Sequence, residues 1–453
     1  MRWSFAAAGA LWVMFGGAAR GYPIAEERKL GERFSVEAAG TLPVIREAAV
    51  VDYVNRLGQR IVAHLDAPQP FEYRFHVIRD AQLNAFAVPG GFVYVNSGLL
   101  LRVGNESELA GVLAHEIGHT HAHHLVRQQE KTRFLNYATL AGMLLSIVHP
   151  AIGAAAMGAN ATVQLKYQRE FEQEADYLGI RYMGDAGLDP HGMVSFMKRM
   201  WNEQRTMLLD QIPPYMLSHP MTEERINYLE TATKGMPEQI GWEVPTFALE
   251  RMQAIIRAVS GVRSAGLERY DAAQASSTRA LALSGITRLY QGDAKGALAE
   301  LESAKRGGLN GLETDIGLAR LRAGDVGGAV RVLKESIEAD PKDGVARAAL
   351  GRALLTKNDY AAAVRELERA AVLAPELDET EYDLGQAYGH SGEAGKGFYH
   401  LGRAFEMRGQ IDKALVQYDK ASKLLKPDTN ESILANERVA ALGEISRSRV
   451  IGQ

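Results

Sequence analysis

Hydrophobic positions in the first hundred residues follow two different periods. Over residues 24–65 apolar side chains recur every three or four positions, which predicts helices. Residues 73–78 alternate as a strand does, and residues 84–95 predict a hairpin that turns at Pro89-Gly90-Gly91. Because Pro89 has no N–H to give to a neighbouring strand, we expect the strand before it at the edge of its sheet. An extended peptide can pair with such an edge.

Helical spacing resumes at Glu106, where Asn105 is a candidate N-cap and Glu108 follows three residues later. Further helices are predicted over 168–183 and 193–209. The run 138–163 has no charged residue and is dominated by Ala, Gly and Met. It predicts either a buried helical pair or a mobile hairpin that faces a membrane or a substrate. His149-Pro150 divides it into pieces too short to span a bilayer.

The C-terminal half contains an internal repeat. Four glycines stand 32, 34 and 34 residues apart, and each is followed after seven residues by a turn residue and after sixteen by a leucine. The glycines are Gly285, Gly317, Gly351 and Gly385, the turn residues Gly292, Gly324, Asn358 and Gly392, and the leucines Leu301, Leu333, Leu367 and Leu401. This code is typical of tetratricopeptide repeats, in which small residues let paired helices approach closely. The last copy restarts early at Gly402, so one helix near 394–408 is expected to serve both its neighbours.

The first nineteen residues have the pattern of a secretory signal peptide. Arg2 precedes an uncharged apolar run, and the small residues 16–19 suit a cleavage site. We therefore expect segment 1–19 to be removed and the mature protein to be exported, which in a bacterium means the periplasm. The rest of the chain divides into a first domain over 20–245 and an all-α solenoid of tetratricopeptide repeats over 246–453.

Composition narrows the chemistry. The 453 residues include 51 Lys and Arg against 55 Asp and Glu, and this near-neutral balance indicates no nucleic-acid partner. The chain contains no cysteine, which excludes thiol nucleophiles, disulfides, iron–sulfur clusters and Cys-type zinc sites. Any metal must therefore be held by histidine and carboxylate side chains.

The segment His115-Glu116-Ile117-Gly118-His119 predicts a metal site. Two histidines at i and i+4 project from the same helix face, so both rings can reach one ion, and Glu116 lies beside them as a candidate general base. A third ligand is expected from the carboxylates of 170–176. Glu172 and Asp176 share a helix face, which suits Glu172 as ligand and Asp176 as acceptor of a ligand N–H. Spacing alone does not choose Glu172 over Glu170 or Glu174.

These motifs resemble those of the HtpX-like/CAAX-prenyl-protease family of zinc metallopeptidases. The resemblance rests on the HExxH helix, on Glu172-Gln173-Glu174-Ala175-Asp176, and on Ser218-His219-Pro220 with Arg225. The segments 84–91 and 96–99 match that family's lead-in to the zinc helix. A signal peptide and C-terminal repeats are similar to the periplasmic group of the family. Clear spanning helices, which other members have, are missing from the pattern, and this argues against an intramembrane or prenylated substrate.

The resemblance implies a zincin-like α+β peptidase domain, mostly helical with a small sheet, that binds one Zn²⁺ per chain. It implies His115, His119 and Glu172 as zinc ligands, Glu116 as general base, and Asp176 behind the ligands. His219 corresponds to a family histidine that either stabilises the oxyanion or occupies the open coordination site and keeps the enzyme latent. The expected substrate-binding strand comprises Asn84, Ala85, Phe86, Ala87 and Val88. His121, His123 and His124 predict a partly solvated helix end, with a second metal as the alternative.

The sequence thus predicts a zinc endopeptidase of the cell envelope. Bound zinc would polarise the scissile carbonyl, and Glu116 would take the proton of the attacking water. Backbone pairing gives little sequence selectivity, so unfolded or misassembled polypeptides are the expected substrates, in outer-membrane protein assembly and quality control. A protein partner is expected on the repeat groove. A peripheral contact with a membrane through 138–163 is the other expected interaction. The alternative is a repeat-based periplasmic chaperone or adaptor with a latent or vestigial peptidase domain.

Overall fold

The computed structural model describes residues 24–66, 69–127, 169–208, 212–239, 241–243, 246–260 and 278–451, with backbone alone for 448–451. The predicted signal peptide and the uncharged run 138–163 lie outside these residues. The fold begins with helix α1 (Ile24–Thr41), strand β1 (Val44–Ile45), helix α2 (Ala48–Val62), strands β2 (Arg74–Ile78), β3 (Ala85–Val88) and β4 (Phe92–Asn96), and the short helix α3 (Ser97–Leu100).

The four strands form one mixed sheet in the order β1-β2-β4-β3. Strand β2 runs parallel to β4, and the other two neighbouring pairs are antiparallel. The turn between β3 and β4 uses Gly90 and Gly91 at φ of 83° and 90°, a region that favours glycine. The predicted hairpin and the edge position of the strand before Pro89 are confirmed. The two-residue β1 was not predicted, because it is too short to give a periodic signal.

Helix α1 covers one face of the sheet. Leu30 and Phe34 of α1 pack against Phe86 and Tyr94 of the hairpin strands. Gly31 lies so close to the hairpin turn that a Cβ atom there would stand 1.9 Å from the carbonyl oxygen of Pro89. The helix therefore seats directly on the turn, next to the edge strand.

The other face of the sheet packs on a helical layer that contains α4 (Glu106–His121), α5 (Arg169–Asp185) and α6 (His191–Gln204). Helix α4 is buried along nearly its whole length, and the Asn105 side chain accepts the backbone N–H of Glu108, as the capping pattern predicted. Close contact between α4 and α5 depends on Gly118, whose missing Cβ would lie 3.0 Å from the Ala175 carbonyl oxygen. Helices α7 (Pro214–Ser218), α8 (Glu223–Thr233) and α9 (Phe247–Ser260) complete this layer.

The C-terminal part consists of helices arranged as the repeat pattern predicted. They are α10 (Thr278–Tyr290), α11 (Ala294–Arg306), α12 (Glu313–Arg322), α13 (Val326–Ala339), α14 (Gly344–Thr356), α15 (Tyr360–Leu373), α16 (Asp378–His390), α17 (Ala394–Met407), α18 (Ile411–Leu424) and α19 (Asn430–Ile451). Each repeat glycine faces the leucine sixteen residues later, and all four predicted turn residues have positive φ. Helix α17 packs on both α16 and α18, as expected of the shared helix.

The repeats also pack on the first part of the chain. Val51 of α2 forms a small apolar cluster with Val345, Ala374 and Leu377. The Arg46 side chain donates to the backbone carbonyl of Met407 over 3.0 Å. Part of the repeat surface is therefore covered by the chain's own N-terminal region.

Among the described residues, no helix is both long and apolar enough to cross a bilayer. The domain boundary at 245 stays a prediction.

Candidate metal centre

The two histidines of the HExxH segment point into the interior from one face of α4. Their Nε2 atoms lie 3.0 Å apart, and both rings are buried. The i, i+4 spacing produces this geometry, because residues four apart on a helix stand above one another. The atoms that would bind a metal are therefore the Nε2 atoms of His115 and His119.

Of the three carboxylates that the sequence left open, the structure brings Glu172 to this point. Its oxygens lie 3.5 Å from His115 Nε2 and 3.4 Å from His119 Nε2. Glu170 is exposed at the start of α5, and Glu174 faces His124 instead. The choice depends on the rotation of α5 against α4, which residue spacing does not report.

His219, which follows α7, completes the group. Its Nδ1 lies 3.2 Å from His115 Nε2 and 3.1 Å from Glu172 Oε1. One ligand atom from each of His115, His119, Glu172 and His219 lies within 4.8 Å of the others, and all four residues are buried; they are called the candidate ligand group below. Imidazole nitrogens with a carboxylate oxygen form a donor set that suits zinc.

Charged side chains contact the candidate ligand group on the side that faces away from its metal-binding atoms. Asp176 Oδ1 accepts a hydrogen bond from His115 Nδ1 over 2.9 Å, as the shared helix face suggested. Arg225 donates from Nε and Nη2 to both oxygens of Asp176, each over 2.8 Å, and its Nη1 lies 2.8 Å from Glu172. Burial alone would lower the pKa of His115, but the carboxylates of Asp176 and Glu172 outweigh it and raise that pKa to about 9. The bidentate role of Arg225 was not predicted.

Glu116 is buried in the same region but is held differently. Neither carboxylate oxygen has a hydrogen-bond partner among the described residues. His219 Nε2 lies 3.5 Å from its Oε1. Burial raises the pKa of Glu116, although the positive charge of nearby histidines acts in the opposite direction. A buried carboxylate that accepts no hydrogen bond and lies beside a candidate metal site can bind a water or a substrate N–H, which fits a general base.

The strand expected to bind substrate lies along this site. The backbone of Ala87 is close enough to act on the pKa of Glu116, and the Leu83 carbonyl accepts the backbone N–H of Tyr215 over 3.4 Å. Both polar atoms of the Asn84 side chain are buried without a hydrogen-bond partner in the described part of the chain. All residues of 84–88 are at most 5% exposed, so a peptide reaches this edge only after some covering part of the chain moves.

Two further contacts were not predicted. The ring of Tyr215 lies 4.8 Å from that of His219, and His124 Nδ1 lies 2.8 Å from His119 Nδ1. His124 is fully buried, so the prediction of a partly solvated helix end is wrong for this residue, while His121 and His123 are partly exposed. His123 instead pairs with Glu27 over 2.8 Å, and His121 contacts Gln69 over 3.3 Å. In the sequence, the only indication of these histidine contacts was the occurrence of five histidines within ten residues.

Comparison with known families agrees with this geometry. Residues 49–233 match the family model of Peptidase family M48, and residues 320–387 match that of a tetratricopeptide repeat. Residues 49–233 are therefore similar to the metallopeptidases of family M48 and residues 320–387 to tetratricopeptide repeats, which agrees with the predicted fold class, class of enzyme and zinc cofactor.

Three relatives share parts of the chain. The beta-barrel assembly-enhancing protease of Escherichia coli K12 is 32% identical over 211 residues, which cover 45% of this chain and 43% of that protein. The protein of the same name from Yersinia pestis is 26% identical over 93% of this chain and 89% of its own length. The mitochondrial metalloendopeptidase OMA1 of Schizosaccharomyces pombe is 33% identical over 39% of this chain and 51% of its own. The chain thus spans less than half of the E. coli relative.

Proposed function

We propose that this chain is a zinc-dependent endopeptidase of the cell envelope that hydrolyses unfolded or misassembled proteins during outer-membrane protein assembly and quality control. One observation carries the proposal: the buried candidate ligand group stands next to the carboxylate of Glu116, whose oxygens have no hydrogen-bond partner among the described residues. A scaffold with no catalytic task gains nothing from burying a carboxylate whose oxygens accept no hydrogen bond, since such burial costs free energy.

In this proposal His115, His119 and Glu172 hold one Zn²⁺ and Glu116 is the general base. Bound zinc would polarise the scissile carbonyl and make water more acidic. Glu116 takes a proton from the attacking water and passes it to the leaving amine. Its raised pKa suits both halves of this transfer, because a carboxylate in water is too weak a base near neutral pH. Asp176 fixes the ring of His115 through the bond to Nδ1.

For His219 we propose the role of a fourth ligand in a resting state. The position of its Nδ1 beside His115 Nε2 and Glu172 Oε1 supports this role. Activation then requires His219 to leave, after which its ring can stabilise the oxyanion. His219→Ala should keep zinc and increase cleavage of an unfolded protein if the resting role dominates. A loss of cleavage with zinc retained would assign His219 to the oxyanion alone.

The substrate is proposed to lie extended against Asn84, Ala85, Phe86, Ala87 and Val88. Strand β3 lies at the edge of the sheet, and the Asn84 side chain has no hydrogen-bond partner among the described residues. Both features support this proposal, since an arriving peptide offers amide N–H and carbonyl groups. Recognition through the backbone depends little on side chains. It therefore suits unfolded chains better than one defined sequence.

The setting of this activity is proposed from three supports: the signal-peptide pattern of 1–19, the repeats, and the names of the relatives. They favour the periplasm and a protein partner on the repeats, such as outer-membrane assembly machinery. Because Val345 and Leu377 of the repeats already pack against Val51, such a partner would bind the remaining repeat surface. A chaperone or adaptor role is compatible with that surface and is the second candidate.

The test is cleavage of casein by the purified mature protein, with and without a chelator, beside Glu116→Gln and the control Glu170→Gln. Glu170 is exposed on the helix that carries Glu172. We expect chelation and Glu116→Gln each to abolish cleavage, and Glu170→Gln to leave it unchanged. Cleavage that survives in Glu116→Gln would overturn the peptidase assignment. If neither the wild type nor His219→Ala cleaves, the adaptor role stands.

A further inference from the structure

His124 connects the candidate ligand group to the protein surface. Its Nδ1 lies 2.8 Å from Nδ1 of His119, and its Nε2 lies 3.0 Å from Oε2 of Glu174. The same Glu174 oxygen accepts Nη1 of Arg127 over 2.9 Å. Glu174 is partly exposed, whereas His124 is fully buried. The four side chains thus form one hydrogen-bonded series that leads outward from His119.

The chemistry of this series fixes where its protons stand. His119 turns Nε2 toward the candidate ligand group and Nδ1 toward His124, so a His119 ring that binds a metal through Nε2 carries its proton on Nδ1. An ionised carboxylate only accepts hydrogen bonds, so the N–H of His124 must be at Nε2, facing Glu174. Its Nδ1 is then an acceptor. The proton between the two histidines therefore belongs to His119 Nδ1.

Packing holds the ring of His124 in this orientation. Phe171 stacks on it with ring centroids 4.5 Å apart and an angle of 13° between the planes. Arg127 lies over the ring of Phe171 at 4.8 Å. Turning the His124 ring out of this plane would break the stacking, and flipping it within the plane would break the hydrogen bond to Glu174.

We propose that His124, oriented by Glu174, is a positioning residue that fixes the tautomer and direction of the His119 imidazole, so that Nε2 carries the lone pair that faces the metal. The inference rests on the proposed function, in which His119 is a zinc ligand. His115 achieves the same result through its direct bond to Asp176. One ligand histidine thus uses a carboxylate, and the other uses a second histidine with a carboxylate behind it.

The test measures the affinity of the full chain for zinc, by competition with a chromophoric chelator. His124→Phe keeps the stacking on Phe171 but removes both ring nitrogens, and we expect zinc binding about 10- to 100-fold weaker. His124→Gln supplies a side-chain carbonyl oxygen that can accept the N–H of His119 Nδ1, so this variant should recover part of the lost zinc affinity. Glu174→Gln should also weaken zinc binding. Because Glu174 is partly exposed, this substitution should disturb folding little. The control is His121→Phe, which makes the same change beside Gln69, away from His119.

A second measurement reads the tautomer directly, through the ¹⁵N shifts of the histidines in the metal-free chain. His119 should be protonated at Nδ1 in the wild type and should populate both tautomers in His124→Phe. Equal zinc affinity in wild type, His124→Phe and Glu174→Gln would overturn this proposal alone. So would an equal loss in His124→Phe and His121→Phe, which would indicate general damage to the helix end. A wild type that binds no zinc would overturn both this proposal and the zinc peptidase function.

Discussion

A hydrogen bond of 2.9 Å joins His115 Nδ1 to Asp176 Oδ1 on the side of the imidazole that faces away from the candidate ligand group. Since a neutral imidazole has one N–H, this bond leaves Nε2 with the lone pair. Asp176→Asn should therefore weaken zinc binding by about 10- to 100-fold. The exposed Asp185, on the same helix, provides the control Asp185→Asn. Chelator competition measures both, and equal affinities for the two variants would contradict the role given to Asp176.

Zinc binding should release protons at neutral pH. The pKa of His115 is raised to about 9 in the metal-free chain, so this ring is protonated there, and it must become neutral to bind a metal. Because the pKa is raised, affinity for zinc should increase as the pH rises toward 9. We expect His115 to contribute about one proton per zinc. Calorimetry in buffers of different ionisation enthalpy counts the protons, and a count of zero would contradict this account.

Arg225 should matter for stability as well as for the site. Its guanidinium is buried against Asp176 and Glu172, whose carboxylates would stand uncompensated without it. Arg225→Met should therefore cost about 3–5 kcal/mol of the free energy of unfolding. Arg169 pairs with Glu224 at 3.8 Å on the surface, so the matched Arg169→Met should cost less than about 1 kcal/mol. Urea denaturation of both metal-free variants tests the contrast, and similar losses would refute it.

Glycine at position 31 should be required by the contact between α1 and the hairpin. Gly31→Ala would place a methyl group 1.9 Å from the Pro89 carbonyl oxygen, and we expect a loss of about 1–3 kcal/mol in the free energy of unfolding. Gly327, near the start of α13, has nothing within 4 Å of its Cβ position. Gly327→Ala should therefore stabilise the chain by up to about 1 kcal/mol. Thermal unfolding should give shifts of opposite sign, and the same sign in both would contradict the packing described.

Local patterns in the sequence were enough to predict much of this fold. The Pro89-Gly90-Gly91 turn, the Asn105 cap and the 34-residue spacing between Gly317 and Gly351 each reflect a requirement of the backbone within a few residues or within one repeat. The helix predicted over 193–209 is displaced toward the N-terminus in the structure, where it starts at His191 and ends at Gln204. Helix ends depend on their surroundings more than helix interiors do.

From residue spacing alone, the candidate metal site was predictable only where its geometry comes from a single helix, whereas Glu172 and His219 were predicted from the family resemblance. His115 and His119 are four residues apart, so one helix places both. Glu172 comes from another helix, and its selection over Glu174 depends on how α5 packs against α4 through Gly118. Arg225 contacts Asp176 and Glu172, which are distant from it in sequence. His124 was expected at a partly solvated helix end. Their roles therefore required the packed structure.

The most direct test of the account is the zinc content of purified protein, measured by elemental analysis for the wild type and for substitutions inside the site. We expect about one zinc per chain in the wild type and in Glu116→Gln, because Glu116 is assigned to proton transfer and not to binding. His115→Ala and Glu172→Ala should lose most of the metal. A wild type without zinc, or a Glu172→Ala variant that keeps it fully, would contradict the central claim that these residues form a zinc site.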